Sequence, residues 1–364
     1  SWLLFALLAG GYIFLRALRL GRPASILGAV MWTFSSYFLI LIAAGHIWKL
    51  MTLCFIPPTL AGILYIYRGQ YLKGAALTAL FASLQILSNH VQMSYYFGFL
   101  ILFLLIAFLV EAVRTGQLRR FVLSTLVLLG SGLIAIGINS SNLYHTYEYG
   151  AETTRGGSEL TPLAGQGAQT KEATASGLDK DYITAWSYGK GETLTLLVPN
   201  AYGGATGALA EDADAMGHIP SEYQQILGQL NHYWGDQPFT AGPVYVGAFV
   251  LFLFLLGCFV VEGPIKWALL GATIFSIALA WGHNMMWLTD LFIDYVPLYN
   301  KFRTVSSILV IAEFTIPVLA VLALVRFVER PRELVEEHRG GFLIAGGLTL
   351  GLSLVLALIP GTFL

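Results

Sequence analysis

The sequence predicts an all-α polytopic membrane protein of about ten transmembrane helices, with a mixed extracytoplasmic lobe between spans six and seven. Three observations carry that prediction. Hydrophobic residues make up 56% of the 364 and charged residues only 11%, against roughly 25% charged in ordinary soluble domains. A chain in water cannot cover that much apolar surface, whereas lipid accepts it. Apolar runs of spanning length recur along the sequence, and basic residues alternate between successive connections.

A spanning helix needs about 20 mostly apolar residues. Runs of this kind cover 1–15, 24–44, 50–67, 71–88, 93–112, 120–139, 243–261, 265–281, 304–327 and 341–361. They divide the chain into an N-terminal bundle over 1–139, a polar segment over 140–241 and a C-terminal bundle over 242–364. Pro57, Pro58 and Pro317 fall inside runs, where they kink a spanning helix rather than end it. The stretch 284–295, with Met285, Trp287, Leu288, Leu291, Phe292 and Tyr295, reads as an amphipathic helix in the interface.

Orientation follows from the connections. Arg16, Arg19, Arg22, Arg68, Lys73, Arg114, Arg119, Arg120, Lys266, Arg326, Arg330, Arg332 and Arg339 all fall in one alternating set, thirteen of the 20 basic residues. That set is assigned to the cytoplasm, which puts 140–241 outside. The 140–241 segment is rich in Gly, Thr, Ser, Tyr and acidic residues, and no run in it is long enough to span. Its aromatic residues argue for a folded lobe against the membrane. Thr193–Val198 within it reads as a short strand or a core helix turn.

Other classes are set aside. A net charge of −1 without a basic cluster points to no nucleic-acid partner. Cys54 and Cys258 lie in apolar runs, so the exported segment has no disulfide framework. The two ends read as those of an internal piece of a longer protein.

Polar residues collect on the outer face. Six of the 7 histidines fall there under this topology. His46 and Lys49 follow span two, and His90 and Gln92 precede Tyr96 at the start of span five. Asn300, Lys301 and Arg303 lead into span nine. Each His or Lys alone is an ordinary interfacial anchor; together, with Trp186 and Trp234 of the lobe, they line one cavity. Lys301 and Arg303 suit a lipid-linked phosphate at headgroup height, or plain headgroup anchoring. Glu313 lies within span nine, where a carboxylate is costly and is either functional or a packing residue. Asp179, Asp181, Glu192 and Asp236 are the carboxylates available for acid–base work, and no spacing among them identifies a role. The histidines show no metal-ligand spacing.

Along most of its length the sequence resembles the YfhO family of bacterial membrane proteins, in a Bacteroidetes-like branch. That family is similar in architecture to GT-C-type glycosyltransferases. The matching residues are Gly45-His46 with Lys49, His90 and Gln92 with Tyr95-Tyr96, Thr154-Arg155-Gly156-Gly157, and Trp186-Ser187-Tyr188 with Glu192, Pro199 and Tyr202. Tyr233 to Pro238, Gly242-Pro243 with Tyr245, and Pro297 with Tyr299 to Arg303 complete the pattern. The resemblance implies transfer of a sugar from a polyprenyl-phosphate donor to a cell-envelope glycan or lipid acceptor, outside the bacterial cytoplasmic membrane. It implies that Lys49, Arg155, Lys301 and Arg303 hold the donor phosphate, with a divalent metal ion as the alternative partner. It also implies a catalytic carboxylate in the first outer loop, which would precede Ser1.

Overall fold

Every one of the apolar runs becomes helix. The computed structural model describes residues 2–153, 177–211 and 230–359, with 217, 220, 223 and 226 between them. In chain order the helices of the first bundle are α1 (Trp2–Ala17), α2 (Arg22–Thr33), α3 (Ser36–Ala43), α4 (Ile47–Tyr67), α5 (Tyr71–Leu87), α6 (Val91–Arg114), α7 (Leu118–Ile138) and α8 (Ser140–Ala151). The lobe contributes α9 (Lys180–Thr184), and the second bundle α10 (Ala248–Val260), α11 (Pro264–Ala280), α12 (Met286–Tyr295) and α13 (Val310–Glu329). Two short helices, α14 (Pro331–Glu337) and α15 (Arg339–Gly346), follow; a π turn, Gly347–Gly351, then leads into α16 (Leu352–Leu358).

Among the described residues, five helical segments are long and apolar enough to cross a membrane, or seven if each of two bent pairs counts as one span. The bent pairs are α2 with α3, at 47°, and α11 with the segment Gly282–Tyr295, at 110°. The second bend turns the 284–295 stretch away from α11 as a separate amphipathic helix. Pro57, Pro58 and Pro317 lie inside continuous helices.

Burial grades the helices by position. α13 is lined along Val310–Val321 by buried residues and forms the centre, packed on α2, α10 and α11. Phe314 on it meets the rings of Phe14, Trp32 and Phe97 at 5.1, 5.0 and 5.9 Å. α7 is mostly exposed and apolar, with Leu126, Leu133 and Ile138 outward, the composition of a lipid-facing helix. α4 and α5 approach closely because Gly62 faces Gly74. A Cβ on Gly74 would lie 2.7 Å from the Gly62 carbonyl oxygen.

The connections gather at two opposite ends. At one end Arg68 donates to the Ala17 carbonyl, and Arg120 lies against Gly69. At the other, Lys49 reaches Ser307 and Gln92 reaches Arg303. The arginine-rich set of the sequence thus shares one end, and the lobe shares the other with His46 and His90.

No strand is present among the described residues; the lobe has one isolated antiparallel bridge, Ala208 to Asn231. The 193–198 run is mostly a 3-10 turn, Gly191–Leu196. The lobe is tied to the second bundle by its backbone. Leu178 N–H donates to Asn300 O, Thr304 N–H to Ile183 O, Ser306 N–H to Trp186 O and Tyr188 N–H to Ala280 O. Lys180 adds an ion pair to Asp290 at 2.6 Å and to Asp294 at 3.4 Å.

Gly282 makes the 110° bend. Its φ is +47°, and a Cβ there would lie 2.0 Å from Ser187 Oγ. Gly282→Ala is therefore expected to destabilise the protein by about 2 kcal/mol or more through strain and displacement of Ser187. Gly137→Ala in α7, where a Cβ meets nothing within 4 Å, is expected to be neutral or stabilising by up to about 1 kcal/mol. Thermal unfolding of the two variants side by side checks the contrast.

Candidate functional site

The mouth, at the end of the bundle shared with the lobe, is assembled by three tight turns. α3 ends at Ala44, Gly45 turns left-handed at φ 74°, and His46 caps α4. The α5–α6 turn repeats this with Asn89 at φ 55° followed by His90. The third turn runs from Leu298 at φ 67° to Thr304 at φ 62° and carries Asn300, Lys301 and Arg303. Three of the four left-handed non-glycine residues among those described therefore sit in this site. Such backbone costs about 1–3 kcal/mol per residue and persists where the surroundings impose it.

These turns bring cations together. Lys49 Nζ is 3.3 Å from Ser307 Oγ. Gln92 Nε2 donates to the Arg303 carbonyl at 2.7 Å and to Tyr96 Oη at 2.9 Å. Arg303 donates to Tyr182 Oη at 2.5 Å and lies 5.4 Å from the centre of that ring. Lys49 and Arg303 act electrostatically on each other and on His46, and Lys49 acts on His90. Among the described residues, no carboxylate forms an ion pair with Lys49 or Arg303. Burial, then Lys49 and Arg303, hold the His46 imidazole below its ordinary value. Burial, then Lys49, push His90 down to about 4. Both rings are neutral near pH 7, and the mouth's fixed charge is that of its lysine and arginine side chains.

Asn300 and Lys301 share the 3-10 turn Tyr299–Lys301, which the lobe covers through Leu178. Trp186 lies at the lobe's inner edge; its ring meets Phe239 at 5.1 Å and its indole N–H donates to Phe239 O. Arg155 lies outside the described residues.

The candidate carboxylates separate into three environments. Glu192 is buried, and its oxygens accept from Gly189 N–H at 2.6 Å, Tyr233 Oη at 2.6 Å and Asp236 N–H at 3.2 Å. It is the tie of the lobe. Asp236 is exposed and accepts from Asn284 at 2.8 Å, while Trp234 stacks on Tyr202 at 4.3 Å beside it. Asp179 and Asp181 are exposed at the start of α9, where Asp179 Oδ1 caps Asp181 N–H at 2.9 Å. Asp181 adjoins Tyr182, the partner of Arg303. Of the four, the α9 pair lies on the chain segment that reaches the cations.

Glu313 lies below the mouth, in the first turn of α13. It is fully buried, and neither of its carboxyl oxygens has a hydrogen-bond partner among the described residues. Ser35 lies beside it, and Tyr37 is close enough to feel its charge. The buried Trp32 Nε1, Thr33 Oγ1, Ser35 Oγ and Tyr37 Oη, from the break between α2 and α3, are likewise unpartnered.

A divalent ion does not suit these residues. Among those described, no group of three or more His, Cys, Asp or Glu side chains could hold one. The two imidazoles stand beside cations, which would repel a dication. The groups present instead suit an anion with several oxygen acceptors, a phosphate above all.

No protein-family model matches the chain, and no curated protein or solved structure is similar to it. Four participants had no mark in the sequence. Ser35, Tyr37 and Ser307 are single polar residues within apolar runs, and Tyr182 is one of many lobe tyrosines. Asp290 and Asp294 did leave a signal, because their i,i+4 spacing puts both on one face of α12, toward Lys180.

Two outcomes are expected. Glu192→Gln weakens a charge-assisted cluster and should cost the lobe about 2 kcal/mol, read as faster limited proteolysis within 177–245. For His90, the folded value of about 4 lies below the ordinary 6.5, so the unfolded chain binds the proton more tightly between those limits. Its contribution to stability is full above pH 6.5 and is lost as the pH falls toward 4. His90→Gln should remove that component, at most about 1.4 kcal/mol per pH unit, from the pH dependence of unfolding.

Proposed function

We propose that this chain is the membrane core of a YfhO-like, GT-C-type glycosyltransferase. It would move a sugar from a polyprenyl-phosphate donor to a cell-envelope glycan or lipid acceptor, on the outer face of a bacterial cytoplasmic membrane. The single observation that carries the reading is the convergence of Lys49 and Arg303, with His46 and His90, where no carboxylate among the described residues forms an ion pair with either cation. A donor phosphate at headgroup depth supplies the missing negative charge.

In this reading the bond between the sugar's anomeric carbon and the phosphate oxygen breaks, and the acceptor oxygen takes its place. The electron pair of the broken bond leaves with the phosphate. Lys49 and Arg303 are fixed before reaction, Lys49 by Ser307 and Arg303 by Tyr182 and Gln92, so they stabilise that charge without reorganising. The acceptor's proton goes to a carboxylate. The resemblance puts that base in an outer loop before Ser1, and Asp181 is the local candidate. The proposal also assigns ten spans, with the three apolar helices Trp2–Ala17, Tyr71–Leu87 and Ala248–Val260 completing the set.

A second reading, transport of a lipid-linked solute, is favoured by one feature. Glu313 is buried beside the broken pair α2–α3, and broken helices with an intramembrane carboxylate are marks of transporters.

The test uses the full-length protein in proteoliposomes with a labelled polyprenyl-phosphate sugar. Acceptor-dependent release of polyprenyl phosphate is expected, falling about 100-fold or more in Lys49→Ala and Arg303→Ala, and falling also in Lys301→Ala. Passage of intact donor across the bilayer without loss of sugar would move the assignment to transport. Donor neither cleaved nor moved would leave an envelope assembly role.

A further inference from the structure

The arginine-rich end holds a second charged cavity, on the opposite side of the bundle from the mouth. It has a volume of about 270 Å³ and lies between the C-terminal ends of α4 and α6 and the N-terminus of α7. Tyr67, Arg68, Gln117, Arg120 and Ser124 supply its polar wall, together with the Glu111 carboxylate.

Three features make it an anion site. Arg68 is half-buried, and its guanidinium spends one N–H on the Ala17 carbonyl, with Arg19 close enough to repel it. Arg120 lies over Gly69, and its one partner is Gln117 Oε1 at 3.4 Å. Among the described residues, no carboxylate is within ion-pair distance of either arginine, although Glu111 lines the same cavity. A half-buried cation is ordinarily paired. The third feature is α7 itself, a 21-residue helix whose N-terminus has no side-chain cap. Its N-terminal residues Gln117, Arg120 and Phe121 line the cavity, so the positive end of its dipole lies at the cavity's edge.

A neighbouring cavity says what kind of anion. About 510 Å³ in volume, it lies between α6 and α11 and shares Glu111 with the first. Phe103, Ile106, Ala107, Val110 and Trp267 make most of its wall apolar, with Arg114 beside Glu111 as its charged edge. A cavity with two arginines at the end of span-length helices, beside a more apolar one along them that shares its Glu111, has the layout of a phospholipid's headgroup and acyl chain.

We propose that the phosphate of an anionic membrane phospholipid binds between Arg68, Arg120 and the N-terminus of α7, with an acyl chain along the α6–α11 cavity. The lipid neutralises the arginine pair and joins α4, α6, α7 and α11. The site is independent of the outer mouth.

The full chain in detergent micelles is titrated with phosphatidylglycerol, phosphatidylcholine and inorganic phosphate, following bound lipid by native mass spectrometry and unfolding by temperature. Phosphatidylglycerol should remain bound and raise the unfolding temperature, and phosphatidylcholine and inorganic phosphate should do neither. Arg120→Gln, an exposed side chain with one long hydrogen bond, should weaken phosphatidylglycerol about fivefold while leaving the lipid-free protein as stable as before. Arg68→Gln with Arg120→Gln should abolish the preference. Equal retention of the two lipids, or an unchanged affinity in Arg120→Gln, overturns the proposal. Stabilisation by inorganic phosphate alone would make the ligand a soluble phosphate and overturn the lipid assignment.

Discussion

The structure depends on one constraint: backbone that leaves a helix at the end of an apolar bundle must find partners for its N–H and C=O groups. Each buried group left unpaired costs several kcal/mol. The spans break at 34–35, at 281–285 and over 298–304, and segments next to or within the lobe close each break. Ser36 gives its N–H to Tyr245 O and its hydroxyl to Pro243 O, and Ser36 Oγ in turn accepts from Tyr245 N–H. Tyr188 takes Asn284 at its carbonyl, and Ser187 accepts from His283 N–H. The lobe is therefore part of that end of the bundle, and the residues of the mouth are held by both.

That arrangement explains why the mouth tolerates its own repulsion. Lys49, Arg303 and two neutral imidazoles stand together, with no ion pair from either cation to a described carboxylate, beside three left-handed residues. Both features lower stability. The compensation comes from below, where α13 is packed on all sides, and from the lobe's buried Glu192 cluster. An anion at the mouth would relieve the repulsion, so binding and stability act in the same direction there.

Much of this was legible in the sequence because it follows from the solvent. Apolar runs become helices, and arginine-bearing loops share an end. Counting spans put His46, Lys49, His90 and Arg303 at one end, although the first three lie more than 200 positions before Arg303 in the chain. The break inside 24–44 was not legible, since Phe34-Ser35-Ser36 contains neither Pro nor Gly. It depends on Tyr245, more than 200 residues later, which supplies the bonds. Glu192 was equally opaque. A carboxylate in a polar segment between apolar runs looks the same whether it meets a ligand or three donors of its own lobe. Only the surrounding glycines hint at its role: a Cβ on Gly235 would lie 2.4 Å from Glu192 Oε1.

The fate of Glu192 narrows the chemistry. With all its oxygens engaged in the lobe, it can give no proton-accepting power without loosening the fold. Asp236 belongs to the same cluster, bound to Asn284 at the foot of the 110° bend. That leaves α9, where Asp181 precedes the tyrosine that holds Arg303 and Lys180 is anchored to Asp290 and Asp294. A short helix fixed at one residue by an ion pair and at the next but one by an arginine has little freedom to turn. Asp179 caps that helix and Asp181 is carried on its first turn. The first bundle thus supplies Lys49 to this end of the molecule, the turn before α13 supplies Arg303, and α9 carries the carboxylates of the segment that reaches them.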